Sequence, residues 1–219
     1  MAGYLYLKSR AELQNGNKKV TTNTIIATSL NQVELSGANL LELLEGVITH
    51  ASKDKSLYAL SAVQVESNGG EFIARATDRY RLIEGSIKTL DGNLDAAVIS
   101  LEDTKRVISL VKSHKANLIA LNRIGNALTV SSLGDSLTVS LLDVNYPPTQ
   151  ELLEKSESDP VHVESVAFNP AFMADYAKIA GKGNAIKIYF TGENKPMRVK
   201  ITGDAIIWRA LLMPMRYVD

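Results

Sequence analysis

Short runs of alternating hydrophobic and polar residues extend along most of the chain, and helical periodicity interrupts them three times. In each case an alternating strand comes first, a Ser or Asn follows, and apolar residues then recur three or four positions apart. The three strands begin at Gln32, Ala96 and Val163, and the helical runs cover residues 39–49, 101–113 and 171–180. Because these signals recur at intervals of roughly 65 residues, the sequence predicts an internal repeat.

Three further strand-like segments follow each helical run. They cover 59–66, 72–77 and 80–87 in the first unit, 118–122, 127–131 and 136–142 in the second, and 186–190, 197–201 and 206–212 in the third. Glycine-containing turns separate many of them, as at Asn68-Gly69-Gly70. The predicted unit is therefore β-α-β-β-β, present three times, and it indicates an α+β fold with helices on one face of antiparallel sheets.

The residues before the three helices predict their first turns. Ser36, Ser100 and Asn169 stand at the N-cap positions, where a side-chain oxygen accepts a hydrogen bond from a free main-chain N–H. Pro170 occupies the first helical position, where its missing N–H has no cost.

Two stretches do not follow the repeat and define the predicted domain boundaries. Residues 1–32 predict two strands without a helix, at 4–7 and 20–27, and are interpreted as an incomplete unit. Residues 147–160 are polar with Pro at both ends, which is typical of a linker. We therefore expect N-terminal strands at 1–32, a two-unit domain at 33–146, a linker at 147–160 and a C-terminal unit at 161–219.

Composition narrows the classes of function. The chain has 24 basic and 24 acidic residues, so its formal net charge is zero, whereas a dedicated sequence-specific DNA-binding protein is usually basic. It contains no Cys, which excludes disulfides and thiolate chemistry and weakly favours a cytoplasmic location. No apolar run is long enough for a membrane span, and we expect no contact with a membrane.

Candidate catalytic and metal-binding groups are few. His50, His114 and His162 are far apart in sequence and lack the spacing of metal ligands on a helix. Gly181-Lys182-Gly183 follows a helix rather than preceding one, so it is interpreted as a helix C-cap and not as a phosphate-binding loop. The sequence predicts no catalytic residue, no metal, no cofactor and no enzymatic activity.

Three motifs resemble signatures of the bacterial-type DNA polymerase III beta subunit, the DNA sliding clamp family. They are Ala76-Thr77-Asp78-Arg79-Tyr80-Arg81-Leu82, Leu142-Asp143-Val144-Asn145-Tyr146-Pro147 and Leu211-Leu212-Met213-Pro214-Met215-Arg216-Tyr217. The repeat is similar to the β-α-β-β-β half-domain of these clamps. Residues 33–150 resemble a complete middle domain, and 160–219 resemble half of the last domain.

The resemblance implies the DNA-clamp fold in a shortened, two-domain version. It also implies a non-enzymatic processivity factor that encircles double-stranded DNA, slides without sequence preference and is placed by a clamp loader. DNA polymerase and repair proteins would dock short linear peptides into an apolar cleft. The protein would be a homo-oligomer, a trimer or a dimer, and the short chain suggests a phage or mobile-element source.

The resemblance also implies which residues form the peptide-binding cleft and which face DNA, assigned by their positions relative to the family's motifs. The predicted peptide-binding cleft contains Leu60, Thr77, Arg79, Tyr80, Arg81, Leu82, Pro147, Leu152, Leu212, Met213, Pro214, Met215 and Arg216. The predicted DNA-facing residues are Lys53, Lys105, Arg106, Lys112, Lys178 and Lys182. Arg79 and Tyr80 depart from the Gly and His of the family, so we expect an altered peptide specificity.

Two interpretations of the whole chain stay open at this point. In the first, strands from residues 1–32 complete the C-terminal unit, within one chain or by exchange between chains, and a ring forms. In the second, the chain is a clamp-like interaction protein that does not encircle DNA and acts as a decoy or regulator of clamp-binding partners.

Overall fold

The computed structural model describes residues 31–157, 159–202 and 205–216, so the predicted strands at 4–7 and 20–27 lie outside the described residues. The strands are β1 (Gln32–Ser36), β2 (Ala62–Asn68), β3 (Glu71–Thr77), β4 (Arg81–Lys88), β5 (Asp91–Asn93), β6 (Ala97–Ser100), β7 (Leu118–Ile124), β8 (Ala127–Ser132), β9 (Asp135–Ser140), β10 (Ile186–Tyr189), β11 (Met197–Ile201) and β12 (Ile207–Leu212). The helices are α1 (Gly37–Val47), α2 (Leu101–Ser113), α3 (Thr149–Lys155) and α4 (Pro170–Ala180). Among these residues, no helix has the length and apolar character needed to cross a membrane.

The strands form two antiparallel sheets. One has the order β5-β1-β7-β8-β9, and the other has the order β10-β11-β12-β4-β3-β2-β6. The first strand of each of the first two units joins the sheet of the other unit, since β1 pairs with β7 and β6 pairs with β2. This reciprocal exchange interlocks the two units into one domain.

The third unit extends the seven-stranded sheet through the pairing of β12 with β4, in which Leu211 lies opposite Leu82. Trp208 of β12 then packs against α1 and β4. A Cβ atom at Gly46 would lie 2.6 Å from the Trp208 ring, and one at Gly85 would lie 2.5 Å from the same ring. Both positions require glycine because the indole of the third unit approaches the main chain of the first unit so closely.

The structure confirms the predicted α+β class and the β-α-β-β-β order in the first two units. Two of the three predicted N-caps are also confirmed, since Ser100 accepts from Asp103 N at 3.0 Å and Asn169 accepts from Ala171 N at 2.9 Å. Ser36 also stands at the N-cap position of α1, but the predicted hydrogen bond is wrong, because its side chain makes no capping hydrogen bond. The N–H of Gly37 instead donates to the Asn117 carbonyl of the second unit at 2.9 Å, so tertiary packing supplies a main-chain acceptor there.

Two features of the C-terminal part differ from the sequence interpretation. The predicted strand at 163–168 is wrong, since the only pairing described there is an isolated bridge between Ala167 and Met215. A first strand in the complete domain is held by the sheet of another unit, and the described residues supply no such neighbour for the third unit. The predicted linker at 147–160 contains an unpredicted helix, α3, which buries Thr149 and Leu153 one turn apart.

Candidate peptide-binding and DNA-facing sites

The first and last of the three motifs meet at the junction between β4 and β12. The turn before β4 is closed by Asp78, whose Oδ1 accepts from Tyr80 N at 3.1 Å and from Arg81 N at 3.0 Å. Thr77 Oγ1 donates to the Arg81 carbonyl at 2.8 Å. Met213 N in turn donates to the Tyr80 carbonyl at 2.8 Å, so the C-terminal segment is hydrogen-bonded to this turn.

Arg79 lies at the tip of this turn with φ = 79°, in the left-handed region. A residue with a Cβ pays roughly 1–2 kcal/mol there, whereas glycine pays no such steric cost. The Gly that the family resemblance leads us to expect is therefore the conformationally matched residue. Arg79 keeps the turn but presents an exposed cation at its tip.

Arg81 is placed in the interior rather than at an open surface. Its guanidinium donates from Nε to Asp78 at 3.0 Å and through its terminal nitrogens to the Asp175 carboxylate and the Thr49 carbonyl, both at 2.7 Å. It also lies over the Phe172 ring, 4.4 Å from the centroid. Since Asp175 and Phe172 belong to α4 and Thr49 follows α1, Arg81 joins the third unit to the first.

The charges around Arg81 shift two pKa values. Burial acts to raise the pKa of Asp175, but hydrogen bonds from Arg81 and Lys178 outweigh it and the pKa is lowered. His50 is buried beside this network, with its ring centroid 5.1 Å from that of Tyr176. Burial first, and then the charge of Arg81, lowers the pKa of His50 to about 3.

The opposite face of the junction carries a separate apolar cluster of three buried leucines. Leu82 and Leu211 lie opposite each other on β4 and β12, and Leu153 of α3 packs against them. Alternation along a strand directs Leu212 and Arg81 to the helix side, while Leu82 and Leu211 face α3. The cluster thus lies between the complete domain and the third unit, where Leu82 is 4%, Leu153 2% and Leu211 6% exposed.

The predicted cleft contains Leu82 but neither Leu153 nor Leu211, the other two members of the cluster. It includes Leu152, which is 47% exposed, whereas its neighbour Leu153 is 2% exposed. The signal that identifies Leu153 is the helical spacing from Thr149, but it is only visible once 149–155 is recognised as a helix.

The remaining predicted cleft residues divide between rim and interior. Exposed around the junction are Arg79, Tyr80, Leu152, Met213, Met215 and Arg216. The buried or half-buried ones are Leu60, Thr77, Pro147, Leu212 and Pro214. The Tyr80 ring stacks on Phe172 with centroids 6.4 Å apart, so it is held beside α4.

The predicted DNA-facing residues gather on the helical side. Lys53, Lys105 and Lys178 line one groove of about 1200 Å³, and Lys178 and Lys182 line a second of about 590 Å³. Acidic side chains share these surfaces. Arg106 is 2.7 Å from Asp103, Lys178 is 3.0 Å from Asp175, and Lys112 is 4.0 Å from Glu45.

A buried ionic network crosses the sheet next to the leucine cluster. Arg75 binds Glu66 and Glu84, with Arg75 Nε 2.6 Å from Glu84. Arg209 of β12 binds the other oxygen of Glu84 at 2.6 Å and reaches Glu157 at 3.6 Å. The network therefore links β3 and β4 of the domain to β12 of the third unit, and sequence reasoning did not detect it.

Within the described ranges, no group of three His, Asp or Glu side chains is close enough together to hold a metal ion. One face of the junction therefore carries a buried apolar cluster, and the helical face carries mixed charge.

No protein-family model matches the sequence, and no curated protein matches it significantly. The fold, in contrast, is similar to solved structures. The DNA polymerase III beta subunit of Thermotoga maritima has a TM-score of 0.73 at 16% identity, and the Caulobacter crescentus DNA polymerase sliding clamp has 0.71 at 14%. The Pseudomonas aeruginosa sliding clamp bound to griselimycin also has 0.71, at 13% identity. Each similarity covers 95% of this chain and 74% of the other. The chain therefore has the fold of the DNA polymerase III beta subunit, the bacterial DNA sliding clamp.

Proposed function

We propose that this protein is a sliding clamp, a processivity factor that tethers replication or repair proteins to DNA by docking their short linear peptides. The observation that carries the proposal is the junction of β4 and β12. There the two family-like motifs meet beside the three-leucine cluster of Leu82, Leu153 and Leu211, within a clamp fold.

The chemistry of this junction suits an apolar peptide with a small number of polar groups. An aliphatic side chain buried against the leucine cluster would contribute about 1.5–3 kcal/mol. Met213 and Met215 follow β12 in the chain, are exposed, and have the flexible, polarizable side chains that adapt to different ligands. Arg79 and Arg216 are exposed cations at the rim, which favours peptides that carry acidic residues next to the apolar anchor.

Peptide docking is tested by fluorescence anisotropy with a labelled clamp-binding peptide from a DNA polymerase. We expect Tyr80→Ala and Met215→Ala to weaken binding at least tenfold, as expected for side chains that contact the ligand directly. Tyr58→Ala is the matched control, since Tyr58 is similarly exposed but lies outside the candidate site. Binding that none of the three substitutions changes would show that the site is elsewhere.

We propose further that α1, α2 and α4 face double-stranded DNA in a homo-oligomeric ring loaded by a clamp loader. Mixed charge on these helices supports a sliding contact, because tight binding to phosphates would oppose movement. With its loader present, the protein is expected to remain on nicked circular DNA and to leave linear DNA through the ends. Equal loss from both substrates would contradict encirclement.

The described residues also support a second candidate, a clamp-like decoy that captures the same peptides without a ring. The supporting observation is that they contain one domain of two complete β-α-β-β-β units and a third unit that lacks both its first strand and a companion unit. The decoy predicts normal peptide binding, no retention on circular DNA and inhibition of a polymerase that depends on its own clamp.

A further inference from the structure

The complete domain shows how two β-α-β-β-β units fit together. In the first unit, β1 is flanked by β5 of its own unit and by β7 of the other. In the second unit, Leu142 N after the last strand donates to Val98 O of β6, and β6 pairs on its other side with β2. A first strand therefore has one neighbour from its own unit and one from the companion unit.

In the third unit, the contact between the residues before the helix and their neighbour from the same unit is present. Met215 N donates to Ala167 O at 2.8 Å, and the two residues form an isolated antiparallel bridge. The counterparts are Leu90 N donating to Glu34 O at 2.9 Å and Leu142 N donating to Val98 O at 2.8 Å. In every case the acceptor stands three residues before the first residue of the unit's helix.

The second contact, the pairing of a first strand with a strand of a companion unit, has no counterpart for the third unit among the described residues. Residues 163–168 have no strand neighbour on their other side, and β10, the counterpart of β2 and β7, is an edge strand. The side chains at these positions are only partly covered. Val166, Ile186 and Ile188 are half-buried and Phe168 is 36% exposed, whereas Leu35 and Ile119 of the complete domain are both 0% exposed.

We propose that a second copy of this chain covers this surface, with the two third units forming one composite clamp domain. In the complete domain each unit gives its first strand to the other, so the exchange is reciprocal. Two identical third units that exchange residues 163–168 reproduce this reciprocity as a twofold-symmetric dimer. The main-chain groups of the third units are then paired between chains in the same way as the equivalent groups are paired inside the complete domain.

The complete domain also gives the register of this contact. The inward pairs there are Leu35 with Ile119 and Ile99 with Val63, in which the first-strand residue lies two positions before its helix. The corresponding pair places Ile186 of β10 opposite the partner subunit's Phe168. Ile188 then lies opposite the partner subunit's Val166, and Lys187 lies opposite the partner subunit's Ala167 on the outer face.

A second copy supplies the kind of companion that a complete domain uses. That companion is a whole β-α-β-β-β unit, whereas the sequence predicts two strands and no helix for 1–32. The third unit itself supplies both the strand and the helix. The hydrogen bond from Val161 N to Phe190 O within one chain, at 2.9 Å, must open or shift when residues 163–168 are exchanged between the two copies.

Cysteine cross-linking of the full chain tests the proposed register without background, since the natural sequence contains no Cys. On mild oxidation, the double variant Ala167→Cys with Lys187→Cys is expected to form a covalent dimer that reductant dissolves. The control pairs Ala167→Cys with Ser136→Cys on β9, an edge strand of the five-stranded sheet, and is expected to stay largely monomeric. Oxidation without a covalent dimer, or equal dimer from both variants, would overturn the proposal.

Light scattering on the full chain gives a second, non-covalent test. We expect twice the mass of one chain, and at least a tenfold increase in the dimer dissociation constant for Phe168→Lys. Ile207→Lys is the control, because Ile207 is 64% exposed on β12 of the same unit but away from the proposed contact. A monomeric parent protein, or equal effects of the two substitutions, would refute the composite domain. Neither assay contains DNA or peptide, so this outcome is separate from that of the proposed clamp function.

Discussion

Because His50 is buried, the free energy of unfolding of this protein is expected to decrease as the pH falls into the mildly acidic range. The Thr49 hydroxyl donates to the Gly46 carbonyl at 2.9 Å and lies 2.9 Å from His50 Nδ1, so Nδ1 carries the proton that Thr49 accepts. Nε2 is buried and has no hydrogen-bond partner among the described residues. Burial and the Arg81 charge together lower the pKa of His50 to about 3, so the folded protein holds this ring neutral at and below neutral pH.

The size of the effect follows from the two pKa values. In the unfolded chain the histidine titrates near its ordinary pKa of about 6.5, and in the folded chain near 3. The unfolded state therefore binds more protons between these values, so stability is complete above about pH 6.5 and falls as the pH decreases. At pH 5 the loss amounts to about 2 kcal/mol relative to pH 7.

The comparison of the parent protein with His50→Leu isolates this contribution from other titrating groups. Urea unfolding at pH 7 and pH 5 should show that the parent loses about 2 kcal/mol more than His50→Leu. His162→Gln is the matched control because His162 is exposed, and it should retain the full loss. If the parent and His50→Leu lose stability in parallel, His50 is not held neutral by the fold and the reasoning is refuted.

Three substitutions at the junction test other parts of the structure. Arg79→Gly should stabilise the protein by about 0.5–1 kcal/mol, because it relieves a positive φ, and a thermal unfolding midpoint that does not rise would contradict this. Arg81→Met should cost about 3 kcal/mol in urea unfolding, because it leaves the partly buried Asp78 without its cation and Asp175 with Lys178 alone, and a loss under 1 kcal/mol would show that the network is weakly coupled. Glu84→Gln should cost a similar amount by leaving Arg75 and Arg209 with reduced compensation, and near-neutral unfolding would exclude a structural role for that pair.

The repeat could be predicted from the sequence because it depends on local sequence signals. Periodicity, caps and turns fix strand and helix identity within a few residues, and the first two units follow them. The predicted strand at 163–168 had the same local signals and failed. A strand also needs a neighbour to satisfy its main chain, and that requirement depends on the other units present.

The candidate site was only partly accessible because it lies where separate segments meet. Arg75 and Glu84 look like outward-facing residues of alternating strands, yet their side chains are only 4% and 6% exposed. The strand pattern gives no information on whether another segment covers that face. Here that face is covered by Tyr146, whose hydroxyl donates to the Arg75 carbonyl at 3.1 Å, and by the following helix α3. The sequence predicts a linker from residue 147 onwards, so this cover was not expected.

The two faces of the junction are coupled by adjacent residues in the same strands. Arg81 and Leu212 face the helices, while Leu82 and Leu211 face the leucine cluster, so each strand connects the inter-unit ion pairs to the candidate peptide site. Tyr176 strengthens this link, since its buried hydroxyl donates to the Leu211 carbonyl at 3.1 Å. This hydrogen bond ties α4 to the strand that carries Leu211. The shape of the candidate peptide site therefore depends on how the third unit is held, and the proposed composite domain would fix both.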